Sequence, residues 1–257
     1  MRVRSVKTCI WVLLLAVVPL LAADFWEKKD YTAWSEKECT KLLRKSPWAF
    51  SESFRTTANI GSTETGVRET TEIIEFRLLT AKPIRMAYGR LQLLQNPDNE
   101  ALKEQINQYV EAPPGSEIMV QVSYRTIPSG GFMSHLHGFF SRATLSTFAN
   151  TTYLVSEDGD QISMSKYLPW NNERPNPIFV FPRLADDGKP YFTGEEKSIA
   201  LRSELDLEAV PRDAVRQDRW GGSASAVAST SAPARQKYKI HVSMKPKDMM
   251  FRGEFTL

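Results

Sequence analysis

Histidine is the residue with the most chemistry to offer in this sequence, and there are only three. Two stand in Ser134-His135-Leu136-His137-Gly138, spaced two apart, and the third is His241. Neutral imidazole is a common zinc ligand, and on an extended segment residues two apart point to one side. His135, His137 and His241 would then form a nitrogen set for a divalent metal, the one cofactor this composition offers. A fourth position would be left for water or a carboxylate, as a metal-dependent or other secreted hydrolase requires. An isolated His-x-His is a weak pattern, however, and solvent-facing loop histidines are the simpler account. The chain has no GxSxG elbow, no phosphate-cradling glycine loop, no HExxH and no CxxC. Its acids are scattered, so no catalytic pair is assigned.

Three further groups invite a functional reading beside a plain one. Gly130 to Phe140 carries Phe132, Met133, Phe139 and Phe140 among glycines. As a mobile apolar loop it would contact a partner, a ligand or an envelope surface. As a buried connection its phenylalanines would belong to the core, and that reading is favoured. Trp26, Trp34 and Trp48 could make a platform for sugar rings, but pinning the first helix to a sheet is the more ordinary use, at up to about 250 Å² buried each. Cys39 shares an apolar stripe with Leu42 and Leu43, which marks a structural thiol and not a reactive one.

These residues sit behind a distinctive start. Arg2, Arg4 and Lys7 precede an apolar run from Cys9 to Leu21, which closes on Ala22-Ala23 before the charged Asp24-Phe25-Trp26-Glu27. Basic, apolar and small-residue segments in that order predict a signal peptide over residues 1–23. The run is short of the roughly 20 apolar residues of a spanning helix, and no later segment would cross a bilayer. The chain has 33 bases and 30 acids. Three of the bases leave with residues 1–23, so the expected mature chain is neutral, which argues against nucleic-acid binding. Cys9 leaves too. Cys39 alone cannot make an internal disulfide, so the core must hold the fold.

The elements follow from periodicity and punctuation. Ser35 and Glu38 make a capping box for a helix that Ser46-Pro47 stops. Trp48 to Phe54 reads as a strand, and Ile60 to Thr71 as a loop. Glu72 to Thr80 and Glu117 to Thr126 alternate apolar and polar residues as strands do. Between them Lys82-Pro83 opens one helix, with the apolar stripe Ile84, Ala87, Leu91, Leu94. Asn96-Pro97 starts a second helix, and Ala112-Pro113-Pro114-Gly115 ends it. That helical pair is long enough for a crossover, so the two strands are candidates for parallel pairing. Strands are also expected over Leu145–Val155, Gln161–Tyr167, Ile178–Leu184, Ser198–Leu205, Lys237–Lys245 and Met249–Leu257. The Gly/Ala/Ser-rich stretch 221–235 reads as a flexible loop. The expected fold class is α+β, with N-terminal helices packed on a mostly antiparallel sheet and a β-rich C-terminal half. Residues 24–257 are expected to form one such domain.

The front of the expected mature chain resembles a known group. The residues are Phe25-Trp26-Glu27-Lys28-Lys29, Trp34-Ser35-Glu36-Lys37-Glu38 and Leu42-Leu43-Arg44-Lys45-Ser46-Pro47-Trp48-Ala49. With Lys82-Pro83-Ile84-Arg85 and Met250-Phe251-Arg252-Gly253, they resemble a group of signal-peptide-bearing secreted proteins of acidobacterial type. That group tends to carry an aliphatic residue where this chain has Cys39. The resemblance implies export and supplies no activity. The expectation is therefore a periplasmic or extracellular protein, a non-catalytic binding or structural module whose partner is a protein, an envelope component or a ligand. The alternative is the hydrolase that would use His135 and His137.

Overall fold

The computed structural model describes residues 24–59, 67–127, 134–171, 174–207 and 237–257. The expected signal peptide, Phe132 and Met133, and the stretch 221–235 lie outside the described residues, as do the side chains of Ser134 and His135.

Short helix α1 (Phe25–Lys28) leads to α2 (Glu36–Arg44), which starts on the expected capping box. Ser35 Oγ accepts from the Glu38 amide at 3.3 Å, and the Glu38 carboxylate accepts from the Ser35 amide at 2.8 Å. Strand β1 (Ala49–Asn59) pairs with β2 (Val67–Leu78), so β2 begins inside the segment expected to be a loop. Threonine and glutamate there are held extended by cross-strand partners, which sequence pattern alone does not reveal.

Helices α3 (Lys82–Gln95) and α4 (Glu100–Glu111) come next, then β3 (Glu117–Ile127). β2 and β3 are adjacent and antiparallel, with Phe76 opposite Val122, which corrects the expected parallel crossover. The physical reason is that α3 and α4, of similar length, run out and back. They return the chain to the end of the sheet it left, where only a hairpin-like reversal is available. Close approach of the two helices is set at Gly89, where a Cβ would lie 2.6 Å from Ile106 Cγ2.

A second correction concerns the histidine segment. Ser134–Arg142 is not an extended loop but helix α5, followed by α6 (Leu145–Phe148), which replaces the front of an expected strand. The remaining strands are β4 (Thr152–Ser156), β5 (Gln161–Ser163), β6 (Lys166–Leu168), β7 (Ile178–Pro182), β8 (Ile199–Asp206) and β9 (Lys237–Met244). A two-residue hairpin, β10 (Met250–Phe251) with β11 (Glu254–Phe255), replaces the expected closing strand. One sheet has the order β1-β2-β3-β7-β6 and the other β5-β4-β8-β9, all pairs antiparallel. Pro182 is tolerated because it ends β7, opposite Glu117.

The chain is thus α+β, helical at the front and strand-rich behind. β1 runs near β9 and β5 near β7, so the sheets meet along two borders with their apolar faces toward one core. Phe76, Val122, Phe179 and Phe181 fill it from the first sheet, and Leu154, Leu201, Tyr238 and Val242 from the second. Tyr238 donates to the Glu72 carboxylate and so ties β9 to β2 in the interior. Trp26, Trp34 and Trp48 are buried, and the Trp48 indole donates to the Thr256 carbonyl at 2.8 Å. They pin the front helices and the closing hairpin to the sheet. Cys39 is fully buried, and burial pushes its thiol up to about 11. Among the described residues no helix is long and apolar enough to cross a membrane.

Candidate functional site

Positions 135 and 137 lie on a helix and not on the extended segment that would set them on one side. An α-helix turns about 100° per residue, so positions 135 and 137 of α5 are roughly 200° apart around its axis. His137 is half-buried and its Nδ1 is 3.0 Å from the Tyr124 hydroxyl, while its ring packs edge-on to Trp170 at 4.6 Å. Burial pushes the Tyr124 hydroxyl up to about 12, so it stays protonated beside the ring nitrogen. His241 is exposed on β9, opposite Arg202 of β8. Among the described residues no group of three or more His, Cys, Asp or Glu converges on a metal position.

The helical form of the segment also decides its phenylalanines. Phe139 and Phe140 are buried, and Phe140 stacks on Tyr124 at 5.5 Å. Phe148 of α6 lies 5.8 Å from Phe139 and 5.0 Å from Phe179. These rings are core, so Phe139 and Phe140 are withdrawn as partner-binding residues.

The arrangement with an unfilled chemical role lies instead where α3 and α4 return the chain to β3. A cavity of about 370 Å³ opens there, walled by Leu79, Thr80, Tyr109, Pro113, Pro114 and Met119. Its charged lining residues are Arg85, in the second turn of α3 and only 8% exposed, and Glu117 at the start of β3. The local sequence explains the burial. Pro83 to Gly89 holds a single charge among apolar and small residues, and Pro83, Ile84, Met86, Ala87 and Gly89 are all buried. Leu94, expected on the apolar stripe, is exposed.

Arg85 Nη1 donates to the Tyr109 carbonyl at 2.8 Å and to the Ala112 carbonyl at 2.9 Å. It thereby closes the C-terminal end of α4, where a cation also complements the helix dipole. Its Nε is buried without a hydrogen-bond partner. Burial pulls the guanidinium pKa below its ordinary value, the mark of a desolvated charge. The Tyr109 ring, half exposed, lies 5.8 Å from it.

The surroundings do not neutralise this cation. Glu111 is engaged by Lys82 at 2.6 Å, and Glu117 by Lys166 at 3.1 Å. Arg183 donates to the Gly115 carbonyl at 2.9 Å, holding the far wall in place. Burial first, and then the charge of Arg85, pulls the Arg183 pKa down, so the two cations share one low-polarity neighbourhood. Arg183 also donates from Nη2 to the Leu257 oxygen at 2.5 Å, so its fork is spent on the protein's own oxygens. A wider depression beside α2, about 640 Å³, is lined by Lys41, Arg44 and Lys45 and offers no buried polar side chain.

Arg85 was not singled out by motif. The signal that would have found it is one arginine in an otherwise apolar helix start, with Pro-Pro-Gly closing the next helix.

The site therefore belongs to an α+β chain with a helix-lined cavity around a buried cation. Comparison with family models, with curated proteins and with solved structures returns no match.

Proposed function

We propose that this chain is an exported, non-catalytic binding module that takes a small ligand in the cavity between the α3–α4 hairpin and the start of β3. Arg85 carries the reading. A guanidinium at 8% exposure, with Nε unpartnered and no ion pair among the described residues, faces a cavity of the size small ligands occupy. Natural interiors leave few such groups, and each asks for an explanation. A few polar groups in an apolar concavity are how small-molecule sites fix orientation.

Export rests on the basic, apolar and small-residue order of residues 1–23. The full chain expressed in a bacterial host with two membranes should be recovered in the periplasm with Asp24 as its first residue. Recovery from the cytoplasm with residues 1–23 intact would overturn that half of the proposal.

The binding half is tested by melting the exported protein against a panel of small acids, sugars, amines and short peptides. Ligand at a hundredfold excess over Kd stabilises by about 2.7 kcal/mol, a shift of several degrees in Tm. At least one class should raise the Tm of the parent and not of Arg85→Met. No response from any class at millimolar concentration would sink the binding reading.

A further inference from the structure

From the guanidinium geometry we infer that the ligand is a small monocarboxylic acid with an apolar body, its carboxylate seated on the Nε/Nη2 edge of Arg85. This rests on the cavity being a binding site and goes on to name what it binds.

An arginine offers two forks, one between its two terminal nitrogens and one along the Nε/Nη2 edge. Both carbonyls that Arg85 meets, those of Tyr109 and Ala112, are bonded by Nη1, so the terminal fork is already occupied. Nε has no partner, so the side-on edge is the one left for an acceptor. That edge matches the two oxygens of a carboxylate, and a planar acid would form two parallel hydrogen bonds there. The half-exposed Tyr109 ring lies 5.8 Å from the guanidinium, at the border between it and solvent.

The sign and the number of charges follow from the neighbours. Lys82 and Lys166 hold Glu111 and Glu117, and Arg183 donates to the oxygens of Gly115, Glu117 and Leu257. A single guanidinium edge without a protein partner therefore remains. One negative charge fits it. A phosphate or a dicarboxylate would bring a second charge against the apolar Leu79, Met119, Pro113 and Pro114 and the carboxylate of Glu117, with no second lining cation to receive it. The same four side chains would cover a short alkyl or single-ring body, and about 370 Å³ accommodates one.

The test is a titration of the exported protein with benzoate and hexanoate, and with their neutral amides, benzamide and hexanamide. Inorganic phosphate is the third arm, and binding is read by calorimetry and by Tm. Both carboxylates should bind, and the amides and phosphate should bind at least tenfold more weakly. Arg85→Met should weaken the carboxylates about 10- to 100-fold, as expected for loss of charge-assisted hydrogen bonds. Arg85→Lys, which keeps the charge and loses the fork, should fall between the two. Met119→Ala enlarges the cavity without touching the cation and should weaken hexanoate more than acetate, titrated alongside it as an acid with almost no apolar body. If the amides bind as well as the acids, the cavity is a binding site but the carboxylate assignment is wrong. Tighter binding of phosphate overturns it equally. If none of these compounds binds while another class from the panel does so through Arg85, the assignment falls and the binding reading stands. If Arg85→Met unfolds, Arg85→Lys and Met119→Ala still decide the matter, because both keep the fold's packing while changing fork and wall separately.

Discussion

Arg77 and Arg85 are both largely buried arginines, on neighbouring elements, and their surroundings are opposite. Arg77 in β2 donates from Nε to the Leu43 carbonyl at 2.6 Å, from Nη1 to Ser123 at 2.9 Å and Gln121 at 3.2 Å, and from Nη2 to Glu75 at 2.6 Å. Glu75 is bound in turn by Arg125 at 3.0 Å, and Gln121 by the Tyr88 hydroxyl at 2.8 Å. Every edge of that guanidinium is in use, and a carboxylate balances its charge. Arg85 uses one nitrogen, for two carbonyls, and has no carboxylate of its own. The first pattern is that of a group belonging to the scaffold, stitching α2 and α3 to the outer face of the sheet. The second is that of a group whose remaining partner comes from outside.

Substitution should separate the two. Arg77→Ala should have the largest effect, a loss of about 3 kcal/mol, because it leaves a mostly buried Glu75 with only the half-exposed Arg125 and the Ser123 hydroxyl. Urea unfolding monitored by circular dichroism reads it as a lower midpoint at unchanged slope. A loss under about 1 kcal/mol would erase the contrast. Arg85→Met should stay within about 1 kcal/mol of the parent. Methionine keeps the apolar stem and removes an unbalanced buried charge, which offsets the two carbonyl bonds lost. A loss as large as that of Arg77→Ala would make Arg85 a scaffold residue and count against the binding proposal.

The thiol of Cys39 sharpens the same contrast at lower cost. Arg77 bonds the carbonyl of Leu43 in the last turn of α2, the helix that buries Cys39. At pH 8 iodoacetamide should leave Cys39 of the parent and of Arg85→Met unlabelled over hours, and should label Arg77→Ala measurably faster. Equal labelling of all three would show that Arg77 does not hold α2. The pH dependence has a definite sign. Burial raises the thiol from about 9 to about 11, so the folded state holds the proton more tightly. Its contribution to stability is complete below pH 9 and is lost as the pH rises toward 11. Cys39→Ala should flatten the stability profile in that window, and an unchanged profile would contradict the assignment.

Much of the fold was legible because it is written locally. Ser35 and Glu38 are three apart and cap one helix, Lys82-Pro83 opens another, and β3 and β9 alternate residue by residue. The buried role of Cys39 followed from its apolar stripe with Leu42 and Leu43, and that of Trp26, Trp34 and Trp48 from the large area each would bury. The histidine segment was misjudged because glycine and phenylalanine suit a loop as well as a helix. What made it α5 is the core space that Phe139 and Phe140 occupy against Tyr124 and Phe148. The strand pairing of β2 with β3 was misjudged for a similar reason. Connection length permits either direction, and the return path of α3 and α4 chooses between them.

By itself, then, the sequence determined where helices begin, which strands alternate, and which apolar residues must be inside. These depend on neighbours within a few positions. Tertiary structure alone decided that β2 and β3 run antiparallel, that His137 meets Tyr124 and not His241, and that Arg85 is enclosed. Each depends on groups far apart in the chain, and burial turns an ordinary helix arginine into a charge with an open edge. The cost of desolvating a cation arises only once Tyr109, Pro113, Pro114 and Met119 have closed around it, and no local pattern records that event.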